Sequence, residues 1–370
     1  MQKNNSKFIV SLHGASRNHN YGDVLLMAIF KEWIEESGGH VIMDMANEYY
    51  GKYLNVDHSI PIKEAVKTAD FIAYGGGGYF GEPRHPSLRW RARFVLHHML
   101  PAIYARLKKK PYGFFGVGFG PLDNWLVRKI GMFALNGAEI VSVRDEESKK
   151  YLLEYGFKKK IHVVPDAALS IADRKSMFYI NDQEDESSKK RIALHIPLDK
   201  GRDFDTLKKH LLNFIKEIKD NCDYEYYFLV DHGLGKNCRQ FKFYDSIRDK
   251  FTPSILIKEY STPEDTLNFI NSCDVILTTK LHVAITSYAL GKKVIGISKH
   301  PKTKRFFKQV GMESNHFDLY DLLDEVQRQK IIGRIQSDNQ VLVKDEIVKK
   351  ALYNKELIKA LGNGGNNENT

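Results

Sequence analysis

Residues 274–307 read Asp274-Val275-Ile276-Leu277-Thr278-Thr279-Lys280-Leu281-His282, an apolar run to Gly291, then Val294-Ile295-Gly296-Ile297 and Lys299-His300-Pro301-Lys302-Thr303-Lys304-Arg305. A buried strand over Asp274–Leu277, a helix and a second strand over Lys293–Ile297 form the repeating unit of a parallel α/β sheet. Open sheets of this kind bind ligands beyond the carboxyl ends of their strands. The first strand delivers Lys280 and His282 to that edge, and the second delivers Lys299, His300 and Lys302. Several cations at one edge imply a small, highly charged anion. Two solvated basic loops are the plain alternative.

The same rhythm runs outward in both directions. Short apolar runs at Phe8–Leu12, Val41–Met45, Phe71–Tyr74, Tyr112–Val117, Ile140–Val143 and Ile161–Val164 alternate with helical spacing, as in Leu25, Ile29 and Trp33. It lapses over Ala172–Lys190, whose polar stretch 181–190 reads as a linker. It resumes at Ile192–Ile196, Tyr226–Val230, Ile255–Ile257 and Asp274–Leu277. We therefore expect two Rossmann-like, doubly wound α/β domains, 1–172 and 191–340, joined by a linker at 173–190. Thr262-Pro263-Glu264-Asp265 has the cap, proline and early acids of a helix start. One helix is expected over 341–361, and the apolar-free tail 362–370 is expected to be disordered.

Composition narrows the partners. Of 370 residues, 42% are hydrophobic and 28% charged, and 56 Lys plus Arg against 46 Asp plus Glu give a net charge of +10. That balance favours acidic ligands, anionic lipid or nucleic acid. Three cysteines without CxxC spacing indicate neither a zinc site nor a disulfide framework, and a reducing cytosol fits. The apolar stretch Phe8–Leu12 is too brief for a signal or membrane span, so a soluble cytoplasmic protein is expected. Arg89–Leu100, continuing to Lys108-Lys109-Lys110, mixes basic and aromatic residues. It reads as a core helix with a solvated basic side, or as a peripheral contact with the inner face of a membrane. No nucleic-acid-binding motif accompanies it.

Four further strand ends carry residue types suited to ligands. Asn20-Tyr21-Gly22-Asp23 precedes a helix, where backbone N–H groups hold anions and Asp23 either caps the helix or meets a sugar hydroxyl. Gly75-Gly76-Gly77-Gly78-Tyr79-Phe80 follows a strand as a loop that a ligand can approach closely, or as a mere flexible turn. It lacks the GxxxxGK[ST] pattern of a nucleotide triphosphate loop. Gly116-Val117-Gly118-Phe119-Gly120-Pro121 ends another strand. Arg144 suits bidentate binding of carboxylate or phosphate, unless it pairs with Asp145 or Glu146. Asp166, in Val163-Val164-Pro165-Asp166, is a base, a hydroxyl ligand or a turn former.

The order NxGD, GGGG after a strand, GxGxGP, SVRDxxS, VPDxA and KLH with a later PK resembles the polysaccharide pyruvyl transferase family over residues 8 to 310. The resemblance implies a GT-B-like fold with a ligand cleft between the domains. It implies an enzyme that moves the pyruvyl group of phosphoenolpyruvate onto two hydroxyls of a sugar, in a surface polysaccharide or its lipid-linked precursor, and releases phosphate. Arg144, Lys280, His282 and Lys302 then bind the donor with Gly76 and Gly77, while Asn20, Asp23, Tyr79 and Gly118 lie on the acceptor side. His282, Asp166 and Asp23 are the candidate catalytic groups, with phosphoenolpyruvate as co-substrate, no other cofactor and no required metal. Lys280 stands where the family usually has arginine, and Lys299 where many members have an aromatic residue. A GT-B glycosyltransferase using a nucleotide sugar, with Asp231 or Glu259 on the ribose, is the alternative, as is a non-catalytic anion-binding family member.

Overall fold

The computed structural model describes residues 8–83, 86–180, 189–198, 200–338 and 340–364. They divide into two compact units: 1–18 with 23–167 and 349–370, and 19–22 with 168–348. The first unit holds β1 (Phe8–His13), β2 (Gly39–Asp44), β3 (Asp57–Ile60), β4 (Phe71–Tyr74), β5 (Gly77–Phe80), β6 (Tyr112–Phe119), β7 (Ile140–Val143) and β8 (His162–Val163). Their order is β3-β2-β1-β4-β6-β7-β8, with β5 alongside β6. The second unit holds β9 (Arg191–His195), β10 (Glu225–Leu229), β11 (Leu256–Lys258), β12 (Val275–Thr278), β13 (Lys293–Ile297) and β14 (His316–Phe317), in the order β11-β10-β9-β12-β13-β14. The strand pairs in both sheets are parallel.

The order reverses between β1 and β4 in the first sheet and between β9 and β12 in the second. In open α/β sheets such a reversal is where helices on opposite faces diverge and ligands are held at the carboxyl ends. His13 pairs in register with Tyr74 at the first of these points, and His195 with Thr278 at the second. Both positions fall on the last residue of their strands.

Continuous apolar runs made the central strands legible, because strands covered on both faces need no polar alternation. The polar edge strand β3 and the two-residue β14 carry no such run. β5 lies where the sequence suggests a loop. β4 pairs only with Tyr112 to Phe114 of the eight-residue β6, so the far half of β6 is open, and Gly77 and Phe80 pair with Val117 and Phe119. Thr262 caps the helix Pro263–Asn271, its Oγ1 accepting from Asp265 N at 3.2 Å, which contributes about 1 kcal/mol.

The basic segment forms a helix at Leu88–Arg93, a π-helical turn at Phe94–Met99 and a helix at Leu100–Leu107. Pro101 has no N–H to give, and the Leu100 N–H reaches back five residues to Val95 O. Phe94, Met99, Ala102 and Ala105 enter the first core, so the apolar side of this segment is largely occupied, while Leu88 and Leu96 stay exposed. Among the described residues no helix is long and apolar enough to cross a membrane.

The C-terminal helix is two helices, Asp345–Ala351 and Tyr353–Gly364, and residues from 349 on belong to the first unit. Asn354 is fully buried there; its Oδ1 accepts from Ser142 Oγ at 2.6 Å, and Ser142 Oγ accepts from Gly116 N at 2.7 Å. The expected tail is helical through Gly364, and residues 365–370 lie outside the described residues, as do 181–188 of the expected linker.

Candidate functional site

In the second unit, the loop after β12 starts the helix Leu281–Ala289, with Lys280 at its N-cap and His282 in its first turn. The loop after β13 starts the helix Pro301–Gln309, with His300 at the N-cap and Lys302 in the first turn. β12 and β13 are neighbours, so both helices begin at one stretch of the carboxyl edge. Neither start has a side-chain cap or an acid in its first turn. Helix N-termini carry partial positive charge and ordinarily attract acids. Lysine there raises the potential further, which suits a bound anion.

The loop bearing Lys280 and His282 is held from below. His195 is fully buried, with Nδ1 2.8 Å from Thr278 Oγ1 and Nε2 3.1 Å from Asp231 Oδ1. Thr278 Oγ1 accepts from Lys280 N at 3.0 Å. Gln240 Nε2 donates to Asp231 Oδ1 at 2.6 Å, and Asp231 N donates to Gln240 Oε1 at 2.9 Å. Burial pushes the Asp231 carboxyl up, but His195, Lys280 and Gln240 outweigh it and hold it well below the usual range. Asp231, considered for a nucleotide ribose, is therefore committed inside the sheet edge.

The segment His19–Gly22 also belongs here. Tyr21 N donates to Asp231 O at 2.8 Å and Gly233 N to His19 O at 2.7 Å, while Asn20 bridges to His232. Asn20 Oδ1 accepts from Gly22 N at 3.0 Å, so its side chain shapes the turn. A Cβ on Gly22 would lie 1.9 Å from His282 Nδ1. The asparagine and glycine of NxGD thus build the surface on which the His282 ring rests. Asp23 is partly buried in the first turn of the helix Tyr21–Glu36, where an acid is favourable.

In the first unit, Arg144 follows β7 and is 4% exposed. Its Nη1 lies 3.6 Å from Asp166 Oδ2 and its Nε 3.9 Å from Asp145 Oδ2. Asp145 is occupied as the cap of the helix Glu146–Glu154, accepting from Ser148 N at 2.7 Å. Asp166 is thus the nearer counter-ion, and two groups expected to act separately form one buried pair. The guanidinium lies over Gly118, where a Cβ would stand 2.5 Å from Nε. Gly76 packs against Phe30, and Gly77 takes a left-handed φ of +128° to start β5. Each of these glycines has a packing reason of its own.

A second cluster sits at the β1/β4 switch point; of its members the sequence points to Tyr79 and misses His13, Asp44 and His98. His13 Nδ1 lies 2.9 Å from both Asp44 carboxylate oxygens, and His13 Nε2 lies 3.1 Å from His98 Nδ1. Tyr79 packs against His98 at a tilt of 31°, 4.7 Å between ring centres, and donates its hydroxyl proton to Gly75 O at 2.8 Å. Burial raises the Tyr79 phenol well above its ordinary value, and the charges of Asp44 and Asp23 add to this. His13 and Asp44 end apolar runs at strand carboxyl ends, which was the available signal. His98 had none, because its π-helical turn is set by Pro101.

Two parallel-sheet Rossmann-like units with cationic strand ends define a GT-B-like α/β protein. Known structures of this fold resemble the chain at the level of the fold alone. The UDP-GlcNAc 2-epimerase from Methanocaldococcus jannaschii aligns with a TM-score of 0.63 at 14% identity, over 95% of this chain and 99% of that one. The UDP-N-acetylglucosamine 2-epimerase from Rickettsia bellii aligns at 0.59 and 12%, over 96% of each chain. The UDP-GlcNAc 2-epimerase from Neisseria meningitidis, in a structure bound to UDP-GlcNAc, aligns at 0.57 and 11%, over 95% and 99%. No curated protein matches the sequence significantly. The profile of the polysaccharide pyruvyl transferase family matches residues 20–301, and the chain belongs to that family.

Proposed function

We propose that this protein transfers the pyruvyl group of phosphoenolpyruvate onto two hydroxyls of a sugar, in a surface polysaccharide or its lipid-linked precursor, forming a ketal and releasing phosphate. The observation that carries the reading is the pair of helix starts at the second sheet's carboxyl edge, free of acids and bearing Lys280, His282 and Lys302. A donor with a carboxylate and a phosphate, about three negative charges, matches the cations and backbone N–H groups gathered at such starts. Family membership supports the same chemistry.

In this reading Lys280, Lys302 and the two sets of backbone N–H groups hold the donor's anionic groups. His282 gives a proton to the donor's methylene carbon. An acceptor hydroxyl oxygen bonds to donor C2 and loses its proton to a base. The C2–O bond to phosphate then breaks, and a second hydroxyl closes the ketal, losing its proton in turn. Arg144 is a further donor-binding candidate, and Asp23 and Asp166 are candidates for orienting the acceptor. The test is calorimetric titration with phosphoenolpyruvate. Saturable binding to the wild type, weakened at least tenfold in Lys280→Ala and Lys302→Ala, supports the reading. Saturable binding of a UDP-sugar without binding of phosphoenolpyruvate refutes it.

A further inference from the structure

A helix that lines a core on one side ordinarily covers its other side with polar and charged groups. The helix Trp125–Asn136 of the first unit departs from this. Val127, Met132, Ala134 and Leu135 are buried in the core, while Trp125, Leu126, Lys129, Phe133 and Asn136 are exposed. At 3.6 residues per turn those five positions fall within about 100° of the helix circumference. Trp125 is 59%, Leu126 51% and Phe133 43% exposed, so three large apolar side chains share one outer face. Leu107, 66% exposed, ends the helix Leu100–Leu107. Beside it the Arg106 guanidinium lies 4.0 Å from the Phe133 ring centre and donates from Nη1 to Phe133 O, which brings the two helix ends together.

The charge around this face has one dominant sign. The helix Trp125–Asn136 holds no acid, and its Lys129 Nζ lies 5.1 Å from the Trp125 ring centre. The Arg128 guanidinium lies 5.2 Å from the ring centre of Tyr155. Lys108 and Lys109 are exposed directly after Leu107, and Lys159 Nζ donates to Ala138 O at 2.9 Å, just beyond the helix end. The acids around the face are Asp123 before the helix, Glu139 after it and Glu154 beside Tyr155. Cations are therefore in excess, and they border aromatic rings.

We propose that this face rests on an anionic lipid bilayer, with Trp125, Leu126 and Phe133 entering the headgroup boundary and Arg106, Arg128 and Lys129 meeting lipid phosphates. Tryptophan suits that boundary because its apolar ring carries one N–H that stays wet. Lysine and arginine lay their stems along apolar surface and keep the charge in the headgroup layer. A second copy of the chain is the poorer occupant, since a two-fold contact through this face sets its cations against themselves. Of the basic segment 89–110 only the end joins the face; Phe94, Met99, Ala102 and Ala105 are given to the core. The Trp125 end follows the carboxyl end of β6, so a bilayer there lies beside the edge at which open sheets hold ligands. Such docking needs no pyruvyl transfer and stands apart from it.

Flotation of the full chain with vesicles of phosphatidylcholine containing about 30% phosphatidylglycerol tests this without any substrate. Binding should be at least about tenfold tighter than to pure phosphatidylcholine and should largely vanish in about 0.5 M salt. Tryptophan fluorescence should shift to the blue on binding, and Trp125→Phe should abolish the shift while keeping the binding. A shift that survives in Trp125→Phe points to the half-buried Trp90 in the basic segment and overturns the proposal. Trp125→Glu combined with Phe133→Glu should weaken vesicle binding at least about tenfold without changing the melting temperature, both sites being exposed. Lys129→Glu should weaken it several-fold at low salt, and serves if the double variant does not fold. Wild-type binding by these variants, or no vesicle binding by the wild type, overturns the proposal. Sedimentation equilibrium without lipid reads the other occupant: a dimer that the double variant dissociates assigns the face to a second copy and likewise overturns it. If vesicles bind and phosphoenolpyruvate does not, the transfer reading falls and the membrane face stands.

Discussion

Replacing Gly22 with alanine probes the proposed donor site through a single methyl group. Gly22 lies outside the left-handed region, so alanine adds no backbone strain. Its Cβ would sit 1.9 Å from His282 Nδ1 and 2.2 Å from Cγ, where ordinary contact begins at 3.4 Å. Either the ring or the helix start must move by about 1.5 Å, and a displacement of about 1 Å already costs on the order of 10²-fold in turnover. Overpacking of this kind costs about 1–3 kcal/mol, or roughly 2–12 °C in melting temperature for a unit of this size. Thermal unfolding and calorimetry with phosphoenolpyruvate measure both consequences. A moderate loss of stability should accompany donor binding at least tenfold weaker. A Gly22→Ala protein that binds phosphoenolpyruvate like the wild type would refute the claim that this glycine exists to seat His282.

Lys280→Arg restores the planar fork usual in the family, and calorimetry should find phosphoenolpyruvate bound several-fold tighter, about 1 kcal/mol; unchanged affinity argues against Lys280 as an anion ligand. Asp166→Asn leaves the buried Arg144 guanidinium without its nearer counter-ion, so urea unfolding should show a loss of about 3 kcal/mol. Asp231 is held below its unfolded value, so the unfolded state binds the extra proton on acidification. Its stabilisation is therefore full above about pH 4 and declines as pH falls further, and Asp231→Asn should flatten that acid limb in urea unfolding curves between pH 2.5 and 5. Asn354→Ala removes the acceptor for Ser142 and leaves a void, for a loss of about 1–3 kcal/mol by thermal unfolding.

The fold was legible because parallel strands covered on both faces are written as unbroken apolar runs, and nearly every central strand announced itself in this way. β3, with Asp57, His58 and Ser59 at the sheet edge, has no such run. β5 hid inside a glycine series because its pairing depends on the length of β6, a long-range condition. Lys280, His282 and Lys302 were legible as cations just beyond strand ends. The roles of Gly22 and Gly118 were not, since each is defined by a side chain more than twenty residues away. The link from Asp44 through His13 to His98 spans 31 and then 85 positions, and only the assembled sheet edge and the π-helical turn bring it together.

The chain passes between its two units at residues 18/19, 22/23, 167/168 and 348/349. Sequence order and structural unit are therefore not interchangeable. A gene fragment ending at residue 167 would encode a first unit without Asn354, and would carry His19–Gly22 torn from Asp231 and His232. The surface under the His282 ring would be lost from the other fragment at the same stroke. Exchange of one half between relatives by a single recombination point would break both units.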